Sequence, residues 1–303
     1  MSGIVRVPGL KSRNTRRGRV LRPTLLHVLL VVGGVTMILP FLWMVSTSLK
    51  PEAEIFRFPP VWLPRRWEWG NYREAMEAAP FGRYFINTVI YALGVTVSNL
   101  VFCSMAAYAF ARLRFRGRDV LFILVLGTMM IPGQVTMVPV FIMLKHWPLV
   151  GGNSIIGSGG HGLLNSYPGL VLPAAVGAFG IFLLRQFFMT LPRELEDAAR
   201  IDGCSEAGIY WRIILPLSKP ALATLGIFTF TAAWNEFLWP LLITSKDSMR
   251  TLQLGLQVFQ TQYTTSWDLL MAGTVVVTIP VLVIFLAGQR YFTRGIALSG
   301  IKG

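Results

Sequence analysis

Cysteine and histidine are scarce in this 303-residue chain, with two of the first and three of the second. Cys103 falls in an apolar run and Cys204 in a polar stretch, so a disulfide framework is excluded. His27, His146 and His161 lie far apart without ligand spacing, so no metal site is expected. No histidine is paired with a nucleophilic serine or cysteine, and no carboxylate pair lies inside an apolar run. The chain is therefore not expected to be an enzyme. Charge is scarce as well. Only 14% of residues are charged, where soluble domains carry about a quarter. The net charge of +14 would suggest nucleic acid, but the basic residues sit at the ends of apolar segments and form no single patch. Nucleic-acid binding is excluded.

What the chain has in abundance is apolar sequence: 53% hydrophobic residues and a mean hydropathy of +0.57. A bilayer needs about 20 apolar residues per helical crossing. Runs of that length fall at 24–48, 84–110, 120–144, 167–189, 219–243 and 270–292. The reading is an all-α integral membrane protein with six transmembrane helices. Its parts are a basic arm over 1–23, a spanning domain over 24–292 and a tail over 293–303. Of the 28 Lys and Arg, 19 fall on one side: 7 in the arm, 4 over 111–118, 5 over 185–219 and 3 at the end. The other 9 lie over 50–83, at Lys145, and at Lys246 and Arg250. This asymmetry predicts both termini on the cytoplasmic side of the membrane. The arm's Thr15–Arg22 stretch faintly resembles an export signal, but the apolar run after it is too long and lacks a cleavage site, so it reads as an anchor. Gly3–Ser12 only approaches a phosphate loop in composition, with the wrong spacing and no strand before it.

The stretch 191–218 is the most informative. Pro192 suits a helix start, Leu195, Ala198 and Ala199 form an apolar stripe, and Gly203 suits a left-handed cap. Ser205 can cap a second helix with Ile209 and Ile213 on one face, which Pro216 would break. Two short helices with apolar faces outside a bilayer need a covering partner, so the segment reads as a docking device. Its spacing, Ala198-Ala199, three residues, Gly203, nine residues, then Ile213-x-Leu215-Pro216, resembles the EAA loop of permease subunits in bacterial ABC importers. Asp197 stands where that motif has glutamate. The resemblance covers nearly the whole chain and is closest to the smaller permease of maltose-type carbohydrate importers. It includes 106–119, 232–241, 259–273 and 290–303.

That resemblance implies a type I ABC importer permease fold with a cytoplasmic coupling helix-turn-helix, in a bacterial plasma (inner) membrane. It also implies a homologous second permease, two ATP-binding subunits and an extracytoplasmic solute-binding protein. ATP and Mg would belong to the ATPase subunits, with no cofactor in this chain. Asp197, Ala198, Ala199, Asp202, Gly203, Ile213, Leu215 and Pro216 would meet the ATPase. Gln260, Gln262 and Tyr263, within 244–268, would contact the solute-binding protein. Gly300, Lys302 and Gly303 would end an extended tail between the ATPase subunits.

Three further features carry less. Five of the six runs contain proline (Pro40, Pro132 with Pro139, Pro173, Pro240, Pro280), which fits kinked helices around a gated path or ordinary membrane-helix proline. Asn235 and Glu236 could line a polar path. Glu236 also lies about 26 Å from Lys219 along a helix, which suits an outer-interface residue between Trp234 and Trp239. The glycine-rich stretch 145–166 predicts an exposed loop, longer than the family resemblance leads one to expect. An ion-coupled secondary transporter of small polar solutes is the alternative. It would need ionisable groups near the midplane and commonly repeated halves, and neither is seen.

Overall fold

The computed structural model describes residues 15–300 apart from Gln262, with side chains placed from 26 to 289. Among these residues there is no strand, only an isolated antiparallel bridge between Gln260 and Thr265. The chain begins with α1 (Thr15–Ser48). Two short helices follow at its C-terminal end, α2 (Glu52–Ile55) and α3 (Gly70–Glu77). Helix α3 buries Ala75, while Tyr72 Oη lies 2.7 Å from Ser48 Oγ.

The scaffold is α4 (Phe81–Arg112), 32 residues without interruption. It occupies the predicted run that contains no proline. Its hydroxyls are satisfied within the helix: Thr88 donates to Tyr84 O, Thr96 to Ala92 O and Ser98 to Gly94 O. Such back-bonding lets hydroxyls sit among apolar neighbours. The cores lie along its length. Phe81, Tyr84, Tyr91 and Val95 belong to an outer cluster with Trp234, Trp239 and Phe259, and Cys103, Ala107 and Ala111 to an inner one with Leu184, Phe188 and Leu225.

The chain then folds back as α5 (Arg118–Thr128) and α6 (Gly133–Lys145), which meet at 98°. The glycine-rich stretch leads to α7 (Tyr167–Val171), a 3-10 turn at Leu172–Ala174, and α8 (Ala178–Thr190), bent by 49°. Next come α9 (Glu194–Ile201), α10 (Glu206–Ile209), a π-turn at Tyr210–Ile214 and α11 (Leu215–Leu217). Helix α12 (Lys219–Trp234) follows at 77° to the α10–α11 unit, then α13 (Leu238–Ile243), α14 (Leu252–Gly255) and α15 (Trp267–Gly300). Helices α8 and α12 pack on α4. A Cβ on Gly94 would lie 2.9 Å from Val171 Cγ2, and one on Gly180 3.0 Å from Cys103 Sγ. Glycine is what lets the backbones come this close.

Among the described residues, only Leu26–Ser48, Phe81–Arg112 and Trp267–Gln289 are single helices long and apolar enough to cross a bilayer, and three bent pairs, over 118–145, 167–190 and 206–234, raise the number to as many as six. The expected continuous runs at 120–144, 167–189 and 219–243 are broken. Pro132 disfavours helical backbone at Ile131, Pro173 precedes the second bend, and the third run ends at Trp234. The expected extended tail is corrected too: α15 continues through Gly300, so 294–300 have helical backbone. Lys302 and Gly303 lie outside the described residues, as does the arm up to residue 14.

The glycine-rich stretch is built rather than slack. Asn153 is buried, its Nδ2 donates to Lys145 O (2.8 Å) and Trp147 O (2.9 Å), and its Oδ1 accepts from Gly160 N (2.8 Å). Asn165 then ties it to the far segment, its Oδ1 accepting from Ser245 N and Lys246 N, each at 2.8 Å.

Tight packing at the outer end gives a direct test. A Cβ on Gly255 would lie 2.5 Å from Tyr84 Cδ2, whereas one on Gly127 would meet nothing within 4 Å. Gly255→Val should therefore cost about 1–3 kcal/mol by overpacking and lower the melting temperature in detergent, followed by tryptophan fluorescence. Gly127→Ala should leave it unchanged or raised.

Candidate functional site

The helix-turn-helix begins later than the sequence suggests, at Glu194 rather than Pro192, with Glu196 N and Asp197 N donating to Arg193 O. It ends as expected. Gly203 has φ +81°, Gly203 N donates to Arg200 O and Cys204 N to Ala199 O, the paired bonds of a left-handed helix terminus. Ser205 Oγ accepts from Gly208 N at 3.2 Å and starts α10. Pro216 does not break this unit. It sits at the start of α11, and the chain turns after it, at Ser218.

The faces differ from the expected stripe. Ala199 is buried, but its companion on that face is Glu196, whereas Leu195 and Ala198 point outward. The π-turn shifts the second helix, so Ile209 and Ile214 are buried and Ile213 only half so. Ile201 is 87% exposed and Trp211 58%. With Leu195 they put apolar side chains on the loop's surface among exposed charges, while Glu196 is buried beneath them. Asp197, Asp202 and Pro216 are exposed and Leu215 half-buried.

Beneath the loop a charged network fastens it to α4. Arg112 Nε lies 2.9 Å from Glu196 Oε1, with both side chains 3% exposed or less. The contact is a charge pair and not an aligned hydrogen bond, since neither atom has a hydrogen-bonding partner. Arg112 Nη2 donates to Leu191 O (2.7 Å) and to Phe188 O, capping the end of α8. Arg200 spans three carboxylates: Glu196 at 3.4 Å, Asp197 at 2.9 Å and Glu206 at 2.8 Å. Tyr108 Oη donates to Glu206 Oε2 (2.7 Å), and Ser104 Oγ lies 2.7 Å from Tyr210 Oη. Hydrogen bonding to Glu206 raises the Arg200 pKa, and the same bond, with that from Tyr108, lowers the Glu206 pKa. Sequence reading missed Glu196, Arg200, Glu206 and Arg112.

Asn235 and Glu236 are adjacent but face different surroundings. Glu236 Oε1 accepts from Trp239 N (3.1 Å), capping α13 across the break after Trp234. It lines two open grooves of about 370 and 310 Å³, shared with Tyr91 and Ala174; Asn99 lines one, Gln134 and Thr136 the other. Asn235 donates to Thr231 O (2.9 Å) and accepts from Gln253 Nε2 (3.2 Å). Gln253, Gln257 and Gln260 line a third groove, about 540 Å³, with Trp43 and Phe237.

Gln260 and Thr265 pair across a tight turn in which Thr261 N donates to Thr264 O at 2.8 Å. Tyr263 stands at the tip, 88% exposed, and Gln262 lies outside the described residues. Gly300 belongs to the end of α15, beyond the placed side chains.

Comparison with known proteins adds to this geometry. Residues 100–298 match the family model described as "Binding-protein-dependent transport system inner membrane component". The arabinooligosaccharides transport system permease protein AraQ of Halalkalibacterium halodurans is 36% identical over 269 residues, covering 88% of this chain and 91% of that protein. The sn-glycerol-3-phosphate transport system permease protein UgpE of Yersinia pestis is 35% identical over 282 residues, covering 90% and 95%. Among solved structures, a chain of a bacterial ABC transporter involved in the import of the acidic polysaccharide alginate superposes with TM-score 0.76. It is 25% identical and covers 94% of this chain and all of that one.

Glu206 offers a pH test. A carboxyl held below its unfolded value stabilises the fold fully above that value, about 4.3, and loses the contribution as pH falls through the lowered folded value. Glu206→Gln should therefore flatten the acid limb of the melting-temperature curve below about pH 4. Coincident limbs for the two proteins would show that the Arg200 clasp contributes nothing.

Proposed function

Since the chain belongs to the family of binding-protein-dependent transport system inner membrane components, we propose that it forms half of the translocation pathway of an ATP-driven sugar importer. It does so without catalytic chemistry of its own. ATP hydrolysis falls to two separate ATPase subunits, and a homologous permease supplies the other half of the path. The relatives named for arabinooligosaccharides and alginate support a carbohydrate cargo. The relative named for sn-glycerol-3-phosphate extends the range to small polyol esters.

The observation that carries this reading is the loop over 191–218. It presents Leu195, Ile201 and Trp211 outward among exposed charges, while its buried Glu196 is tied to Arg112 of α4, which also holds the end of α8. An apolar surface on a capped, charge-braced support suits a socket in an ATPase subunit. Asp197, held by Arg200 and 66% exposed, would offer its free oxygen to a basic group there. Six crossings follow if each broken run is one span, with both termini and this loop cytoplasmic, as the basic asymmetry supports. The apolar outer surfaces of α1, α5 and α6 would then face lipid or the second permease. Met37 at 75% exposed, Ile123 at 66% and Val135 at 66% typify them.

In this account the importer has two states, and each partner biases the same equilibrium. Closure of the ATPase dimer moves the loops seated in it, and the spans swing as bodies from inward-facing to outward-facing. Outside, the solute-binding protein meets the 244–268 segment and Tyr263. The groove with Gln253, Gln257 and Gln260 beside Trp43 offers amides and an aromatic face, groups suited to sugar hydroxyls and rings. Glu236, Tyr91 and Gln134 would line the polar path farther in.

Gly203 is the sharpest test of the socket. At φ +81° a side chain is strained although the space beside it is open. Gly203→Asp should leave membrane insertion intact and abolish both uptake and the stimulation of ATP hydrolysis by loaded binding protein in proteoliposomes. Normal stimulation by this variant would remove the loop from coupling.

A further inference from the structure

On the importer reading, we propose that α4 is the connecting rod between the binding-protein side and the ATPase side. Arg112 and Asn87 would be the positioning residues at its two joints. The helix is fastened at both ends to segments that face opposite sides of the membrane. Its inner end holds the coupling loop through Arg112 to Glu196, Tyr108 to Glu206 and Ser104 to Tyr210. Its outer end holds the 247–252 segment, which leads into the turn bearing Tyr263. Asn87 Nδ2 donates to Ser248 O (2.9 Å) and Arg250 O (2.8 Å), Tyr84 Oη to Asp247 Oδ1 (2.7 Å), and Thr88 Oγ1 accepts from Leu252 N (2.8 Å).

Between the joints, Asn87 and Arg112, lie about 38 Å of helix at 1.5 Å per residue, the thickness of the apolar bilayer core and part of its headgroups. No proline interrupts it, whereas each of the other five predicted crossings contains one. The joints themselves are dry. Asn87 is fully buried, its Oδ1 accepting from Tyr167 Oη at 2.8 Å, and the Arg112 and Glu196 side chains are 3% exposed or less. A hydrogen-bonded or charged contact removed from water has few alternative geometries, because each alternative leaves a buried group unpaired. Rod and loop therefore move together, and compliance falls to the 98° break between α5 and α6 and the turn at Ser218. Docking outside would reach the ATPase through α4.

The test uses the complete transporter in nanodiscs with its own solute-binding protein, purified with its bound solute, and compares stimulated with basal ATP hydrolysis. Asn87→Leu cuts the outer joint and Glu196→Gln loosens the inner one. Each should bring the stimulated-to-basal ratio close to one, while the affinity of the binding protein for the Asn87→Leu complex stays within about twofold, less than 0.5 kcal/mol. Joints in series predict that the double variant has the same ratio as either single. Full stimulation in either single variant, or losses that multiply in the double, would overturn the rod. If Glu196→Gln fails to assemble, the neutral pair Arg112→Gln with Glu196→Gln replaces it, leaving no unpaired buried charge. If that pair also fails, Asn87→Leu decides alone. Absence of stimulation in the wild-type complex would instead overturn the importer reading.

Discussion

The pair of Arg112 and Glu196 is the contact on which the inner half of this protein depends. Removing one partner of such a pair costs about 3–5 kcal/mol, because it strands a charge away from water. The cost makes the geometry obligatory. Arg112 cannot keep Glu196 and also hold the carbonyls of Phe188 and Leu191 unless α4, α8 and α9 meet at one place. Everything exposed on the 191–218 loop is placed by that junction, including Asp197, Gly203 and the Leu195–Ile201–Trp211 surface.

Rigidity at the junction is complemented by breaks elsewhere. Proline interrupts or flanks the runs built from α5–α6, α7–α8 and α12–α13, and backbone groups freed there find partners such as Glu236, which accepts from Trp239 N. The one predicted crossing without proline is the one fastened at both ends. This division suits a machine in which a stiff element transmits a small displacement and broken elements absorb it. The polar groups that line the open grooves sit beside the breaks. A carrier needs them there, since irregular backbone at membrane depth is tolerated where it lines a cavity.

Much of this was legible in the sequence. Gly203 and Ser205 announced the two caps because each acts locally, through φ or through a side chain that accepts from a backbone N–H three residues on. The apolar runs announced the crossings, although their straightness was overestimated where Pro132 and Pro173 bend them. What the sequence hid depends on distant partners. Glu196 reads as a solvent-facing acid on a short helix, and only Arg112, far away in the chain, makes it a core residue. Leu195 and Ala198 read as a packed stripe, yet Glu196 takes their place on the inner face. The π-turn at Tyr210–Ile214, invisible to a 3.6-residue period, moves burial from Ile213 to Ile214. Asn87 and Gln253 carried no motif at all. The glycine-rich stretch hid an order that comes from Asn153 and Asn165 bonding across it and to the next outer segment.

The central claim is that α4 and the coupling loop form one body through the transport cycle. Distances between paired spin labels test it most directly, in transporter whose native cysteines have been replaced. One pair joins position 201 on the loop to position 86 near the outer end of α4. A second joins 201 to 130, at the break between α5 and α6. Between the nucleotide-free and the ATP-trapped complex, the first distance should stay fixed while the second changes. A shift of the first by about one helical turn, ~5 Å, with the second unchanged, would contradict the account.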